Sequence, residues 1–438
     1  MNAPRSPRVT GRRGWPVLLA IVVLLLAILA AWWMFHRPRE TPAPATPPVT
    51  AATLQQPALI DRGAYLALAG DCAGCHTARG GAPYAGGRSL PTPFGVVPAP
   101  NLTPDAATGL GGWTFEDFWQ AMHEGRGRHG RLLYPAFPYT SYTRVSHDDA
   151  LALFAWLRTL APVRQATSKP ALEFPYNLRV SLDAWRALYF RPGVYREDPR
   201  QSAQWNRGAY LVQGLGHCNE CHVARDALGA SAGADLSGGQ IPVQNWYAPD
   251  LSTKANGGLE GWRPQDIIEL LKTGQSAKGA AFGPMAEVVM QSTQHLHDED
   301  LAAIATYLQS LPARPPPRRA STSRDHAVIG QGAKLYAARC AACHGADGNG
   351  VAGVYPPLDG NSAVNEPSGV NAIRVVLLGG FAPVTAAHPR PYSMPPFAQQ
   401  LSDADVAAVV SYVRQAWSNH APGVWERDVA AYRHTPID

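Results

Sequence analysis

The 438-residue chain, 46% hydrophobic and 16% charged, has the composition of a globular protein and is too long for one ordinary compact core. Its 40 prolines and 41 glycines call for many turns, without the strict period of a fibrous protein. A formal net charge of +5, spread along the chain with no basic stripe interleaved with aromatics, argues against nucleic acid as a partner.

In chain order, Arg5, Arg8, Arg12 and Arg13 come first, and residues 15–35 then run without a charge. At helical rise such a run spans roughly 30 Å, enough for one membrane crossing. The arginines before it, against Arg37 and Arg39 after it, orient the N-terminus to the cytoplasm. Trp32 and Trp33 suit the outer interface. The run is long for a cleaved signal peptide and no A-x-A site follows it, so an uncleaved anchor is expected. Either route exports the rest of the chain. No second apolar span follows, and the proline-rich stretch 37–55 reads as a semi-rigid linker. The expectation is a single-pass protein of the bacterial inner membrane with its body in the periplasm.

All six cysteines fall in one pattern: CAGCH at Cys72, Cys75 and His76, CNECH at Cys218, Cys221 and His222, and CAACH at Cys340, Cys343 and His344. C-x-x-C-H is the attachment signature of c-type haem. Two thiols add to the two vinyl groups, and the adjacent histidine reaches the iron as proximal ligand. A disulfide framework is the ordinary use of cysteines in an exported chain. Three copies, each followed by histidine and with no cysteine left over, set it aside. Three covalently bound haem c groups are expected.

The motifs sit in an internal repeat. Arg-Gly-Ala-Tyr-Leu recurs at residues 62–66 and 207–211, and a looser third copy keeps Gly332 and Tyr336. Each copy closes with an acidic helix start and an apolar helix: SHDDALALFAWL, HDEDLAAIATYL and SDADVAAVVSYV. Ser146 to Asp149 and Ser402 to Asp405 have the capping-box spacing. Trp156, Tyr307 and Tyr412 follow Asp149, Asp300 and Asp405 by two helical turns and so share one face.

A helix ending at the haem motif and a closing C-terminal helix resemble the small all-α cytochrome c fold. That resemblance implies that the two helices cross at Gly63/Tyr65, Gly208/Tyr210 and Gly332/Tyr336 against the closing-helix aromatics. It also implies that a proline carbonyl, at Pro100, Pro249 and Pro356, accepts the N–H of each proximal histidine. The sixth iron ligand should then be a methionine between motif and closing helix. Met394 is the one candidate in repeat 3; in repeat 2 Met285, after a Gly-Pro turn, is favoured over Met290. Trp262 precedes Met285 by 23 residues and Trp113 precedes Phe137 by 24, so repeat 1 has phenylalanine where the ligand belongs. His129 on the GRGRHGR loop, an open five-coordinate iron, and Met122 or His123 in the helix before that loop all stay open.

The expected architecture is mainly α, one transmembrane helix followed by three tandem cytochrome c domains. It divides as 1–36 (cytoplasmic N-terminus and anchor), 37–55 (linker), 56–163 (domain 1), 164–200 (a packed interdomain segment too aromatic for a free linker), 201–312 (domain 2), 313–326 (a stiff Pro/Arg linker), 327–420 (domain 3) and 421–438 (tail).

From about residue 60 to 417 the chain resembles the membrane-associated triple-haem cytochrome c subunit of bacterial periplasmic dehydrogenases, those acting on alcohol, gluconate, sorbitol or aldehyde. The segments NLTPDAATGLGGWTFEDF, LYPAFPYTSYT, FPYNLR and SAQWNRGAYLVQGLGHC carry the resemblance. In that family the second usually reads Tyr-Pro-Ala-Met-Pro-Tyr, so Phe137 is a departure. The resemblance implies a separate catalytic subunit that passes electrons to this chain, which hands them to ubiquinone or a terminal oxidase. No G-x-G-x-x-G follows a strand and no G-x-S-x-G is present, so substrate chemistry is expected elsewhere. The rival reading is a haem enzyme, with an open first iron reducing a peroxide or small oxyanion beside the cations of RGRHGR. A cytochrome subunit of an oxidase is a third.

Overall fold

The computed structural model describes residues 18–25, 27, 49–231, 235–252, 258–312 and 324–435. The chain divides into two compact parts, 1–50 and 51–438. In the first, residues 18–25 and 27 are helical and their side chains are exposed, Leu19 by 69%. The rest of the expected span lies outside the described residues. Among the described residues no helix is long and apolar enough to cross a membrane. The Pro/Arg linker falls mostly at 313–323, also outside them.

The second part is built on three crossed helix pairs. Helix Pro57–Ala69 packs on His147–Leu157, Ala203–Tyr210 on Asp298–Gln309, and His326–Arg339 on Asp403–Gln415. One glycine makes each crossing possible. A Cβ on Gly63 would sit 1.9 Å from the Ala152 carbonyl oxygen, one on Gly208 2.0 Å from that of Ala303, and one on Gly332 2.2 Å from that of Ala408. The next contacts are the Cβ atoms of Trp156, Tyr307 and Tyr412, the closing-helix aromatics. The backbones therefore touch where no side chain fits, and an aromatic seals the gap.

In sequence between the helices of each pair comes a third, packed on the closing helix: Phe115–Glu124, Pro264–Thr273 and Val370–Leu378. Thr114 and Asp117 close a full capping box at the first of these, and Gly125 and Gly274 end the first two in the left-handed region, as a C-terminal stop requires. Strands are short. The longest sheet pairs Ser89–Thr92 with Gly95–Pro98, and the latter with Ala171–Leu172, all antiparallel.

Ala171–Leu172 opens the 164–200 segment, whose helix Arg179–Tyr189 lies between repeats 1 and 2. Arg186 donates to the Glu124 carbonyl and Arg179 to that of Leu132, while Trp185 Nε1 donates to the Leu228 carbonyl of repeat 2 at 2.9 Å. The residues beyond 420, expected as a tail, form helix Glu426–Arg433, with Val424 and Val429 in the repeat 3 core. Arg433 ties that helix to the Ala398 and Leu401 carbonyls.

Sequence spacing alone mistook the purpose of one aspartate. Ser146 Oγ caps its helix by accepting from the Asp149 N–H, but the Asp149 carboxylate does not complete the box. It is 2% exposed and accepts instead from Arg62 Nε at 2.7 Å and from the Tyr210 hydroxyl at 2.6 Å. The arrangement is reciprocal. Asp300 accepts from Arg207 Nε and Nη2, both at 2.7 Å, and from the Tyr65 hydroxyl at 2.5 Å. Each tyrosine hydroxyl also accepts the backbone N–H of the other repeat's helix-start residue, Ser146 at 3.2 Å and His297 at 3.3 Å. Repeats 1 and 2 thus exchange tyrosines across a pseudo-twofold contact. In repeat 3 the box Ser402–Asp405 forms as expected, and the Tyr336 hydroxyl stays home on the Gly345 carbonyl.

Candidate haem sites

Each C-x-x-C-H motif is a short turn of helix immediately after its opening helix. The three histidines are oriented identically. His76 Nδ1 donates to the Pro100 carbonyl at 2.8 Å, His222 Nδ1 to that of Pro249 at 2.7 Å, and His344 Nδ1 to that of Pro356 at 3.0 Å. A carbonyl only accepts, so Nδ1 carries the proton and the Nε2 lone pair is left for a metal. Burial holds all three imidazoles below their ordinary range, against the opposing proline bond, and so keeps them neutral.

All six cysteines are free of disulfides. Burial pushes the Cys72 and Cys218 thiols up to about 12, and those of Cys75, Cys221 and Cys340 up to about 11. Thiols held neutral are poor nucleophiles, which speaks against a thiol-exchange centre. Motifs 1 and 2 are neighbours: a Cβ on Gly70, two residues before Cys72, would lie 3.0 Å from the side chain of Leu215, three residues before Cys218.

Around them the two repeats again swap contacts. Helix Pro284–Gln291 of repeat 2 packs on the CAGCH turn, where Arg88 bridges Glu287 and the Gly74 carbonyl. Repeat 1 answers through Ser141, whose hydroxyl donates to Glu220 in the CNECH turn at 2.9 Å. Asp71 and His217, the residues before the first cysteines, both have left-handed backbones, φ 48° and 38°. Burial, then Glu287, pushes the Asp71 carboxyl up to about 7. Nothing in the sequence marks this pair as interfacial.

In repeat 3 the walls of a haem pocket are visible. Cys340, Cys343, His344 and Met394 all line one apolar cavity whose empty volume is about 1380 Å³, counting the space at its open mouth. Val375 and Val376 of the third helix and Val409, Val410 and Val413 of the closing helix line it. Two thiols, an imidazole with its free nitrogen turned to a greasy cavity and a thioether are the donor set of haem c with histidine–methionine ligation, so the residues fit the group. The cavity is completed by Gln275 and Ala280–Phe282 of repeat 2, in the stretch leading to Met285.

Met285 is half-buried in the first turn of helix Pro284–Gln291, and Met290 lies exposed near its far end. Phe137 occupies the equivalent place in repeat 1. The Leu133 N–H donates to the Gly125 carbonyl and the Ala281 N–H to that of Gly274, each at 2.8 Å; four residues further on stand Phe137 and Met285. The Phe137 ring packs on Tyr142, centroids 5.3 Å apart. His129 sits exposed at the hairpin tip with φ 60°. His123 Nδ1 donates to the Thr143 carbonyl at 2.9 Å, and its ring stacks on Trp119. Met122 is 6% exposed.

Three histidines with the same carbonyl bond, three thiol pairs and an apolar cavity define a haem-binding, electron-carrying class of protein. The chain belongs to the cytochrome c family: the family model, Cytochrome c, matches residues 60–161, 206–312 and 329–417. It is 39% identical over 399 residues to the cytochrome c subunit of the quinone alcohol dehydrogenase of Gluconobacter oxydans (strain 621H), covering 86% of this chain and 83% of that one. It is 38% identical over 400 residues to the gluconate 2-dehydrogenase cytochrome c subunit of Pantoea cypripedii, covering 86% and 90%. With the fructose dehydrogenase cytochrome subunit of Gluconobacter japonicus it shares 36% over 401 residues, covering 84% and 81%.

Proposed function

We propose that the chain is the electron-transfer subunit of a bacterial dehydrogenase complex, with one haem c on each motif in three tandem cytochrome c domains. Cys72/Cys75, Cys218/Cys221 and Cys340/Cys343 hold the haems, His76, His222 and His344 are the proximal ligands, and Met285 and Met394 are distal ligands. The bound haem supplies a one-electron iron couple; the chain attaches it, fixes each imidazole through a proline carbonyl and excludes water with apolar walls. The observation that carries the relay is continuity. Motif 1 adjoins motif 2, since Tyr142 donates to the Gly70 carbonyl and its neighbour Ser141 to Glu220, and the stretch before Met285 walls the cavity beside His344.

The similarity to dehydrogenase cytochrome subunits supports a separate catalytic subunit as electron donor. Haem attachment outside the cytoplasm, the arginines before residue 15 and the uncharged run 15–35 support a single-pass anchor with the haems in the periplasm. Ubiquinone or a terminal oxidase then takes the electrons. Gentle detergent isolation of the chain from its own membranes tests the reading. A large dehydrogenase should accompany it in fixed ratio, and that enzyme's substrate should reduce the haems. Isolation of the chain alone in several detergents, or substrate turnover by the pure chain, contradicts it.

A further inference from the structure

Phe137 removes the loop thioether from repeat 1 without removing the haem motif, and the structure offers a replacement. We propose that Met122, from the helix before that loop, is the distal ligand of the first haem; the proposal rests on the haem-binding reading above.

The cavity of repeat 3 shows which residues of the third helix face the haem. Val376, three residues before Gly379, lines that cavity together with Met394. Met122 stands three residues before Gly125. Both glycines end their helices by donating to the carbonyl four residues back, Val375 and Ala121, so the count from that end is structurally meaningful. Counting from the helix starts gives a different match, because the helices differ in length, and the neighbouring face decides between the two. The residue two before each glycine turns to the approach of the closing helix. His123 donates there to the Thr143 carbonyl and Lys272 to that of Leu296, and the Leu377 side chain is fully buried in the core cluster with Leu401 and Val406. Met122, one position earlier, is therefore on the haem side.

A second contact agrees. Val410, five residues after Asp405, lines the repeat 3 cavity, and its counterpart five after Asp149 is Phe154. The Phe154 ring lies 5.4 Å from that of Phe118, one turn before Met122 on the same helix. The first haem's wall is thus Phe118, Met122 and Phe154, and its one soft donor is the Met122 sulfur. In repeat 2 the same position is Leu271, where Met285 makes a second thioether redundant. Methionine is unbranched with three rotatable bonds, so its sulfur can be presented to a metal from a helix as well as from a loop.

The other donors that repeat 1 describes are placed differently: the His123 ring is tied to Thr143, His129 is exposed, and His147 packs edge-on against Phe115. From repeat 2, His217 meets Tyr142 edge-on and bonds the Gly70 backbone at the junction of the repeats.

The test uses the full chain with its haems attached. The oxidised protein should carry three haems, all low-spin by electron paramagnetic resonance, each with a near-infrared sulfur-to-iron band. Met122→Leu, which copies repeat 2 and keeps the core filled, should leave the haem count at three while one third of the iron turns high-spin and binds carbon monoxide. Adding Phe137→Met to that variant should restore low-spin iron, and His129→Ala alone should change nothing. A wild-type protein with one third of its iron already high-spin, or loss of the ligand in His129→Ala but not in Met122→Leu, overturns the proposal. Fewer than three haems in the wild type overturns the haem-binding reading instead, and the proposal falls with it.

Discussion

Repeats 1 and 2 differ from repeat 3 in where one tyrosine and one aspartate go. All three share the glycine crossing, the motif turn and the imidazole–carbonyl bond. In repeat 3 Lys334 stands where Tyr65 and Tyr210 are, Tyr336 two residues later bonds the Gly345 carbonyl of its own repeat, and Asp405 stays in a closed capping box. In the first two, Asp149 and Asp300 are taken by Arg62 and Arg207 and by the other repeat's tyrosine. Repeat 3 meets repeat 2 otherwise. The Asn371 amide pairs with both backbone groups of Tyr247, and the Arg374 guanidinium lies 4.5 Å from the Trp246 ring centre. In the first two repeats the aspartates thus serve an interface in place of a closed cap, and the exchanged tyrosines tie repeat 1 to repeat 2.

The largest effect is expected at the crossing that all three repeats share. Gly208→Ala drives a Cβ into a backbone oxygen that cannot step aside and should cost about 3 kcal/mol or more of stability, read by thermal unfolding. Gly330→Ala, where nothing lies within 4 Å of the new Cβ, should be neutral or slightly stabilising. An equal effect at both would refute the crossing.

Asp300→Asn tests what the repeats do not share. Losing the charge opposite Arg207 should cost about 2–3 kcal/mol, whereas Asp405→Asn weakens only a cap and should cost about 1 kcal/mol or less. Denaturant unfolding of the two variants compares them; equal losses would mean that the exchange adds nothing to stability. Tyr65→Phe, removing one neutral donor from the same carboxylate, should cost about 1 kcal/mol.

The smallest effect is that of pH. Burial opposes ionisation of Asp300, but the hydrogen bonds from Arg207 and Tyr65 outweigh it and hold the carboxyl below its usual range. A lowered folded value means that the contribution is complete above the unfolded value, about 4, and is lost as pH falls through the folded one. Protease cleavage between repeats 1 and 2 should rise over that window in wild type and stay flat in Asp300→Asn. The same rise in both would assign the sensitivity to another group.

The sequence made legible whatever depends on local spacing. The aromatics recur two turns after each aspartate as their spacing required, and Gly63, Gly208, Gly332 and the three prolines occupy the places that the resemblance to the small cytochrome c fold implied. The tyrosine exchange was written in Arg-Gly-Ala-Tyr, present in repeats 1 and 2 and replaced by Gln331, Gly332, Ala333 and Lys334 in repeat 3. It could not be read, because a hydroxyl's partner 235 residues away is fixed only by packing. The haem-facing side of Met122 was hidden for a related reason. Phe118, Ala121 and Met122 are all buried, so apolar periodicity does not separate a core face from a cofactor wall. The last helix, Glu426–Arg433, was missed because its sequence is polar and few of its residues reach the core.

Three one-electron centres on one chain are checked by intact-mass measurement of the mature protein, followed by a spectroscopic redox titration of the same sample. The expected result is a mass gain of three haems and three one-electron steps, all reduced when the partner dehydrogenase is given its substrate. A chain carrying one or two haems, or one whose third centre never takes an electron from that partner, would contradict it.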